Sequence, residues 1–358
     1  MNTLKLAVLY LVVLCITLLC TEVALRILAS FPQDATNFIH DEDIGFRARP
    51  NIPSHDGLKT NHLGFNDIDH TAKPKEGSYR LAFVGDSFVY GVVARDKNFT
   101  FVLEDLAQQD GVELNVMNMG LVAAGPKNYL GLLKHDVANS NAELVAVSIF
   151  IGNDITQAHP HFKTSVWLNS TRETLVKPYY VGFSWEYSYI YRSIRSAFRT
   201  VQERLDSTPR KSFTRETFME IERQRSSIYK KNMSDFIRES FNGVIELIEE
   251  MSQEAKRQNK QFFIILAPDE VQISSDIQDY LATQYQFDLR DYDFEQPQSI
   301  LTKELAKRGI AVLDLLPFFQ NAKVDGGLYL QYDTHWNDDG NRLAAEAIWR
   351  YINEKSIL

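Results

Sequence analysis

The sequence is organised around one stretch, Arg80-Leu-Ala-Phe-Val-Gly-Asp-Ser-Phe-Val-Tyr-Gly91. An apolar run ends at Gly85, and the small polar pair Asp86 and Ser87 follows before the chain turns hydrophobic again. A short apolar run bounded by a turn signal is typical of a strand buried on both faces of a parallel sheet. Open α/β sheets place their ligands at the carboxyl ends of such strands. The stretch therefore predicts a buried strand that carries the Ser87 hydroxyl at its tip.

Composition excludes several classes of protein. The 358 residues are 44% hydrophobic and 24% charged, which is typical of a globular chain with a large core. The net charge of -9 argues against a nucleic-acid-binding protein. Both cysteines, Cys15 and Cys20, lie near the amino terminus. The remainder of the chain therefore has no thiol for a disulfide, a cysteine nucleophile or a cysteine-based zinc site.

The first residues predict a membrane anchor over residues 1–29. Residues 4–20 are almost wholly apolar, which is close to the roughly 20 residues that a spanning helix needs. A cleaved signal peptide is the alternative, but Glu22 and Arg26 lie four residues apart on a continuing helical pattern. Lys5 and the amino terminus predict a cytoplasmic start and a single pass through the cytoplasmic membrane, with the folded part outside, periplasmic or extracellular.

The rest of the chain predicts a tether followed by one large α/β domain. Residues 30–77 carry Pro, Gly, Asn and Asp at short intervals and read as an extended tether. From residue 78 to 358, apolar runs alternate with amphipathic segments, which predicts right-handed βαβ units and a parallel sheet. After the opening strand, further strands are expected at 112–118, 143–151, 261–267 and 310–313. Helices are expected at 99–109, 127–139, 232–259, 297–308 and 338–352.

The alternation breaks at residues 156–232, which predict a mostly helical, aromatic-rich insertion. The first part of this segment is dense in tyrosine, tryptophan and phenylalanine, and the second part is charged. One interpretation places the insertion over the strand ends as a lid or substrate wall. The other is that the aromatic residues pack a small core of their own.

Polar residues and glycines recur at three strand ends, Gly85-Asp-Ser87, Asn118-Met-Gly120 and Gly152-Asn-Asp154. Because the carboxyl ends of parallel strands meet at one edge of a sheet, these groups are expected to converge. A serine nucleophile needs a base, which is usually a histidine oriented by a carboxylate. His335 is the candidate base, because it precedes the last predicted helix and follows Asp333 by two residues.

The order of these motifs resembles the SGNH (GDSL-like) hydrolases, whose four blocks match Gly85-Asp-Ser87, Asn118-Met-Gly120, Gly152-Asn-Asp154 and Asp333-Thr-His335. The resemblance implies a flavodoxin-like three-layer fold. It also implies Ser87 as nucleophile, His335 as base and Asp333 as orienting acid. The implied oxyanion hole consists of the Ser87 and Gly120 N–H groups and the Asn153 amide.

One spacing departs from the hydrolase pattern. These hydrolases commonly place the acid three residues before the histidine, and that position is Tyr332 here. The shorter Asp333-Thr-His335 spacing is more similar to the polysaccharide O-acetyltransferase branch. A structural interpretation stays open for some of these residues, because Asp86 or Ser87 could cap a helix and Asn153 could close a turn.

The function implied by the resemblance is a membrane-anchored serine esterase or O-acyltransferase. Its expected substrate is an O-acyl group on a cell-surface glycan, and the resemblance to that branch implies an acetyl group. The alternatives are a non-catalytic or acyl-relay partner of a multispanning membrane acyltransferase, and a lipid or thioester hydrolase. The sequence calls for no metal and no organic cofactor. The pair His159 and His161 lacks the carboxylate support that a metal site would need.

Overall fold

The fold was obtained as a computed structural model. It describes residues 3–30, 37–53, 58–71, 74–168, 174–180, 188, 190–191, 193–194 and 213–358. Its strands are β1 (Phe38–Asp41), β2 (Gly45–Ala48), β3 (Tyr79–Gly85), β4 (Leu114–Gly120), β5 (Leu144–Phe150), β6 (Phe162–Leu168), β7 (Thr174–Tyr180), β8 (Gln261–Ala267) and β9 (Ala311–Asp314). Its helices are α1 (Thr3–Ser30), α2 (Ser87–Tyr90), α3 (Phe99–Gln109), α4 (Pro126–His135), α5 (Asp154–Gln157), α6 (Arg215–Arg225), α7 (Asp235–Arg257), α8 (Ser275–Gln284), α9 (Gln296–Lys307), α10 (Leu316–Asn321) and α11 (Asp338–Glu354).

The centre of the fold is a parallel sheet of five strands in the order β4-β3-β5-β8-β9. Counted along the chain, this is the doubly wound order 2-1-3-4-5. The order reverses between β3 and β5, and this reversal opens a crevice at the carboxyl ends of the two strands. The predicted α/β class and parallel sheet are confirmed.

Helices cover both faces of the sheet, which gives three layers. On β3, Leu81 and Phe83 pack into one apolar cluster, whereas Ala82 and Val84 pack into the other. Successive side chains of a strand point to opposite faces, so each cluster lies on its own side of the sheet. Helices α3 and α11 pack together on one side, and α4 and α7 pack together on the other.

The predicted tether is packed against the domain along its described residues. Strands β1 and β2 form an antiparallel hairpin, and Phe46 and Phe65 are buried in the same cluster as α4. Gly64 has φ +89°, and a Cβ at this position would overlap the Ala48 carbonyl. The turn-forming residues of this segment are evident from the sequence. The burial of the apolar residues between them was not predicted.

The insertion differs from the mostly helical structure that was predicted. Its described residues include the antiparallel pair β6 and β7 as well as helix α6. Residues 162–168 and 174–180 contain several β-branched and aromatic side chains, which favour strands. Most of the aromatic residues on which the lid interpretation depends lie outside the residues whose side chains the structure describes.

Helix α1 contains one segment, Lys5–Ile27, that is long and apolar enough to cross a membrane. None of its most apolar window is buried against the rest of the protein. At 1.5 Å per residue, its 23 residues extend over about 35 Å, which exceeds the hydrocarbon core of a bilayer. By length and composition, the segment fits either a membrane anchor or a signal sequence.

Candidate active site

Ser87 is the first residue of the short helix α2, directly after β3. Asp86 caps this helix, because its Oδ1 accepts a hydrogen bond from the Phe88 N–H at 2.9 Å. A strand that turns abruptly into a capped helix fixes the backbone on both sides of Ser87. The serine side chain is half-buried at the carboxyl edge of the sheet.

His335 and Asp333 lie in the turn that precedes α11. His335 Nε2 is 2.8 Å from Ser87 Oγ, and its Nδ1 is 2.5 Å from Asp333 Oδ1. The same Asp333 oxygen accepts the His335 backbone N–H at 3.1 Å. The structure therefore brings the three predicted residues into one hydrogen-bonded line, with the ring between a carboxylate and a hydroxyl.

The Asp333 carboxyl is held in its ionised form. Burial raises its pKa, but the side-chain hydrogen bond and the charge of His335, with two backbone N–H groups, outweigh burial and leave the pKa below its usual value. An ionised acceptor keeps a proton on Nδ1 and leaves Nε2 to accept the serine proton.

Aromatic rings fix the position of the histidine. The Phe88 ring centroid lies 5.1 Å from that of His335 and 5.0 Å from that of Trp336. Phe88 also packs against Phe150, at the end of β5, with ring centroids 4.2 Å apart. Packing of this kind limits the orientations that the imidazole can adopt.

The Gly120 N–H, one of the three implied oxyanion donors, already has an acceptor. It donates to Asn118 Oδ1 at 3.0 Å, within the same sequence block. Gly120 pairs with Gly85 across β4 and β3, and a Cβ at this position would overlap the Tyr90 backbone nitrogen. The glycine is therefore required for the close approach of β4 to α2. As an oxyanion donor it would first have to release Asn118.

Asn153 lies in the turn after β5, next to the buried Asp86. Burial raises the pKa of Asp86, and the Phe88 N–H, the charge of His335 and a hydrogen bond from Asn153 lower it by less. The Asn153 Oδ1 atom is buried and has no hydrogen-bond partner in the described structure. The Asn153 side chain is thus at the same edge as Ser87.

The next residue, Asp154, anchors this turn in the core. Its Oδ2 accepts the Phe150 N–H at 2.9 Å, and both of its oxygens lie 3.1 Å from the Tyr129 hydroxyl. Burial, followed by the charge of the neighbouring Asp86, raises the pKa of Asp154 well above its ordinary value. The Tyr129 hydroxyl donates a hydrogen bond to this carboxyl group.

An open cavity of about 540 Å³ adjoins the Ser87 hydroxyl and the His335 ring. It is also lined by Pro53, Tyr90, Val92, Val122 and Ala123. Pro53 belongs to the predicted tether, so this segment contributes a wall to the site. Small apolar side chains predominate around the serine.

The sequence interpretation missed a group of charged residues at the next strand end. Asp269 follows β8 by two residues and is buried beside Arg225 and Glu222 of α6. The signal was present, because Pro268 and Asp269 end an apolar strand as Gly85 and Asp86 do. Arg225 and Glu222 carried no such signal, because they are distant in sequence and lie in a charged helix.

A metal site finds no support in the described residues. They contain no group of three or more His, Cys, Asp or Glu side chains arranged to hold an ion. His159 Nε2 pairs with Glu239 at 3.2 Å, and its ring stacks on Phe236 at 4.2 Å. These contacts account for a buried histidine without a ligand role.

Residues 230–358 match the family model described as "SGNH hydrolase-like domain, acetyltransferase AlgX". No curated protein matches the chain. Over these residues, which are about a third of the chain, the match confirms the predicted assignment to the SGNH superfamily and its O-acetyltransferase branch. It also confirms the prediction of an enzyme that acts on ester bonds.

Solved structures of ester hydrolases are similar over most of the chain. A lipase/acylhydrolase from Enterococcus faecalis is 12% identical, with 77% of this chain and 96% of that chain covered and a TM-score of 0.42. The acetyl xylan esterase AlAXEase is 16% identical, with 76% and 99% covered and a TM-score of 0.40. An acetylxylan esterase mutant from Geobacillus stearothermophilus is 13% identical, with 78% and 96% covered and a TM-score of 0.41. At these scores, the family assignment rests on the sequence model.

Proposed function

Residues 230–358 match an SGNH hydrolase-like domain, and from that premise we propose a membrane-anchored serine esterase or O-acyltransferase that acts on acyl groups of a cell-surface glycan. The acyl group is proposed to be acetyl. The observation that carries the proposal is the line of hydrogen bonds from Asp333 through His335 to Ser87.

The geometry supports the first half of an acyl transfer. Ser87 Oγ attacks the ester carbonyl while its proton passes to His335 Nε2, 2.8 Å away. Asp333 stabilises the resulting imidazolium through the 2.5 Å contact to Nδ1. As the carbon–oxygen bond of the ester breaks, the imidazolium returns this proton to the departing alcohol oxygen. An acyl group then remains on Ser87.

The second half reverses these steps with a new acceptor. His335 removes a proton from water or from a sugar hydroxyl, whose oxygen attacks the acyl-serine. Water gives a free acid and therefore hydrolysis, whereas a sugar gives a new ester and therefore transfer. The acetyltransferase description of the matched family model favours the sugar as acceptor.

The cavity beside Ser87 supports a small acyl group. Val92, Val122 and Ala123 narrow it with short apolar side chains, while its mouth is open to solvent. A compact apolar wall suits an acetyl methyl, and an open mouth leaves room for a polymeric sugar. Helix α1 would hold this site at the outer surface of the cytoplasmic membrane.

An acyl-relay partner of a multispanning acyltransferase is the second candidate, and one observation favours it. The Gly120 N–H donates to Asn118, so an implied oxyanion donor already has an acceptor. A domain of this kind would react slowly alone and depend on a partner to complete its site. A lipid or thioester hydrolase would instead require a preference for long acyl chains.

The test is covalent labelling of the purified full-length chain by a fluorophosphonate, with mass spectrometry of the labelled peptide. We expect the label on Ser87, its loss in Ser87→Ala, and no change in Ser275→Ala at an exposed serine. A series of nitrophenyl esters of increasing length then compares acetyl with longer acyl groups. Absence of any label on Ser87 would refute the serine mechanism. A preference for long chains would favour the lipid hydrolase.

Transfer and hydrolysis are separated by adding acetylated and unacetylated oligosaccharides together. Transfer predicts acetylated acceptor sugars by mass spectrometry, and hydrolysis predicts free acetate alone. The relay candidate predicts slow turnover by the isolated chain and acceleration by membranes that contain the multispanning protein.

A further inference from the structure

One arginine of the insertion, Arg225, packs against the loop that follows β8, at the edge of the sheet where Ser87 lies. Arg225 is the last residue of α6, and its side chain is 16% exposed. Its Nη1 lies 3.1 Å from Glu222 Oε1 and 3.4 Å from Asp269 Oδ1. Both carboxyl groups are fully buried. A helix of the insertion is thereby joined to the loop that follows β8.

This ion cluster lies directly against the turn that carries Asn153. A Cβ at Gly152 would lie 2.7 Å from Asp269 Oδ2, so the carboxylate occupies the space that any other residue would fill. Asp269 also caps the following turn by accepting the Glu270 N–H at 3.0 Å. The Gly152–Asn153 backbone therefore packs directly against the Arg225–Asp269 pair.

A second path runs through aromatic rings. The Arg225 guanidinium carbon lies 5.2 Å from the centre of the Phe150 ring. Phe150 packs on Phe88, and Phe88 packs on His335. An arginine over a ring face is attracted by the ring quadrupole, more strongly where water is excluded. The Arg225 guanidinium is thus at one end of a row of ring contacts, and the His335 imidazole is at the other end.

Charge makes the arginine difficult to replace. Burial raises the pKa values of Glu222, Asp269 and Asp86, and the positive charge of Arg225 opposes this effect on all three. Removing the cation would leave buried acids without compensation, which is costly in a low-dielectric interior. Without the cation, burial would raise these pKa values further, which would disturb the hydrogen bonds near Asn153.

We propose that Arg225 is a positioning residue, supplied by the insertion, which holds the Asn153 turn and the His335 ring in their reactive arrangement. The inference rests on the proposed serine mechanism. It gives the insertion a part in catalysis besides any contact with substrate. Arg225 contacts Phe150 and Asp269, and it acts on the Asn153 turn and the His335 ring through these neighbours.

The test compares three variants of the full-length chain. Arg225→Gln removes the charge, and Arg225→Lys keeps it. Arg223→Gln is the matched control, because Arg223 lies on the same helix and also makes an ion pair and a ring contact, but on the exposed surface. The rate constant of fluorophosphonate labelling at Ser87 and the kcat and KM for nitrophenyl acetate are measured for each.

We expect Arg225→Gln to lower kcat and the labelling rate by about tenfold or more, equivalent to about 1.4 kcal/mol, with KM within twofold of the wild type. Arg225→Lys should recover part of this loss, and Arg223→Gln should match the wild type. Equal labelling rates in Arg225→Gln and the wild type would overturn the inference. A wild type that is not labelled would refute the proposed function instead.

If the wild type is not labelled, NMR spectroscopy can still test whether Arg225 positions His335. The proton on His335 Nδ1 bonds to Asp333 and should give a resolved downfield NMR signal. We expect this signal in the wild type and in Arg223→Gln, and a shifted or broadened signal in folded Arg225→Gln. An unchanged signal in Arg225→Gln would contradict a positioning role, and an unfolded Arg225→Gln is replaced by Arg225→Lys, in which a smaller shift is expected.

Discussion

Asp333 Oδ1 lies 2.5 Å from His335 Nδ1 although Thr334 alone separates the two residues. The same oxygen accepts the backbone N–H of His335, so one carboxylate fixes both the main chain and the ring. Tyr332, at the position where related hydrolases place the acid, has φ +52° and turns the chain into this arrangement. A two-residue spacing is therefore sufficient to orient the imidazole.

Replacement of this acid should cost most of the activity. Asp333→Asn removes the ionised acceptor and places an amide beside Nδ1, which favours the tautomer that cannot accept the Ser87 proton. We expect kcat to fall by about 10³–10⁴-fold. The matched control is Asp338→Asn at an exposed position of α11, which should retain wild-type kcat. A loss of less than tenfold in Asp333→Asn would show that Asp333 is not the orienting acid.

The sequence predicted the hydrogen-bonded line of Ser87, His335 and Asp333 because each of these residues lies in a short recognisable motif. Ser87 and His335 each follow a recognisable pattern, and the parallel sheet brings such ends together. Arg225 could not be found in this way. Its role depends on how a helix of the insertion packs against the loop after β8. Contacts between segments that are distant in sequence produce no repeating pattern in either segment.

The helices and strands that were predicted well are also those with a regular apolar pattern in the sequence. The opening strand and helix α3 were predicted closely, because a buried strand and an amphipathic helix each have a strong repeat. Helix α8 was not predicted, because its apolar face is reduced to a few residues such as Ile277 and Leu281. The buried part of the tether was missed for the related reason that isolated apolar residues between turns have no period.

The free energy of unfolding should decrease as the pH rises, because the buried Glu270 carboxyl binds a proton in the folded protein. Burial, followed by the charges of Asp269 and Asp333, raises the pKa of Glu270 from 4.5 to about 8. Between these values the folded chain keeps a proton that the unfolded chain loses, so the free energy of unfolding falls as pH increases through this window. Glu270→Gln stays neutral and should lose about 3 kcal/mol less than the wild type between pH 5 and 8.

Urea unfolding at pH 5 and pH 8 measures this difference. Glu346→Gln, on the exposed face of α11, serves as the control and should follow the wild type at both pH values. If Glu270→Gln loses as much stability as the wild type over this interval, then Glu270 does not bind the proton in the folded protein.

Asn153→Ala tests the proposed amide donor of the oxyanion hole, whose side chain also hydrogen-bonds to Asp86. A donor to the developing charge is worth more in the transition state than in the substrate complex, so we expect kcat to fall by about 10²–10³-fold with little change in KM. Asn321→Ala removes an amide that bonds only the Pro317 carbonyl at the exposed end of α10, and it should be silent. A rise in KM with unchanged kcat would assign Asn153 to substrate binding.

Gly120→Ala tests the contact between β4 and α2. The added Cβ would overlap the Tyr90 backbone nitrogen, which cannot move away as a flexible side chain could. Relief requires α2 to shift, and Ser87 begins that helix. We expect a loss of about 1–3 kcal/mol of stability and of most Ser87 labelling by fluorophosphonate.

Gly111→Ala separates this overlap from the general cost of replacing a glycine. Gly111 has φ +77° and no atom within 4 Å of an added Cβ, so the substitution strains the backbone without a collision. It should cost about 1 kcal/mol and leave the labelling rate of Ser87 unchanged. If both variants label at the wild-type rate, the position of α2 does not depend on the approach of β4.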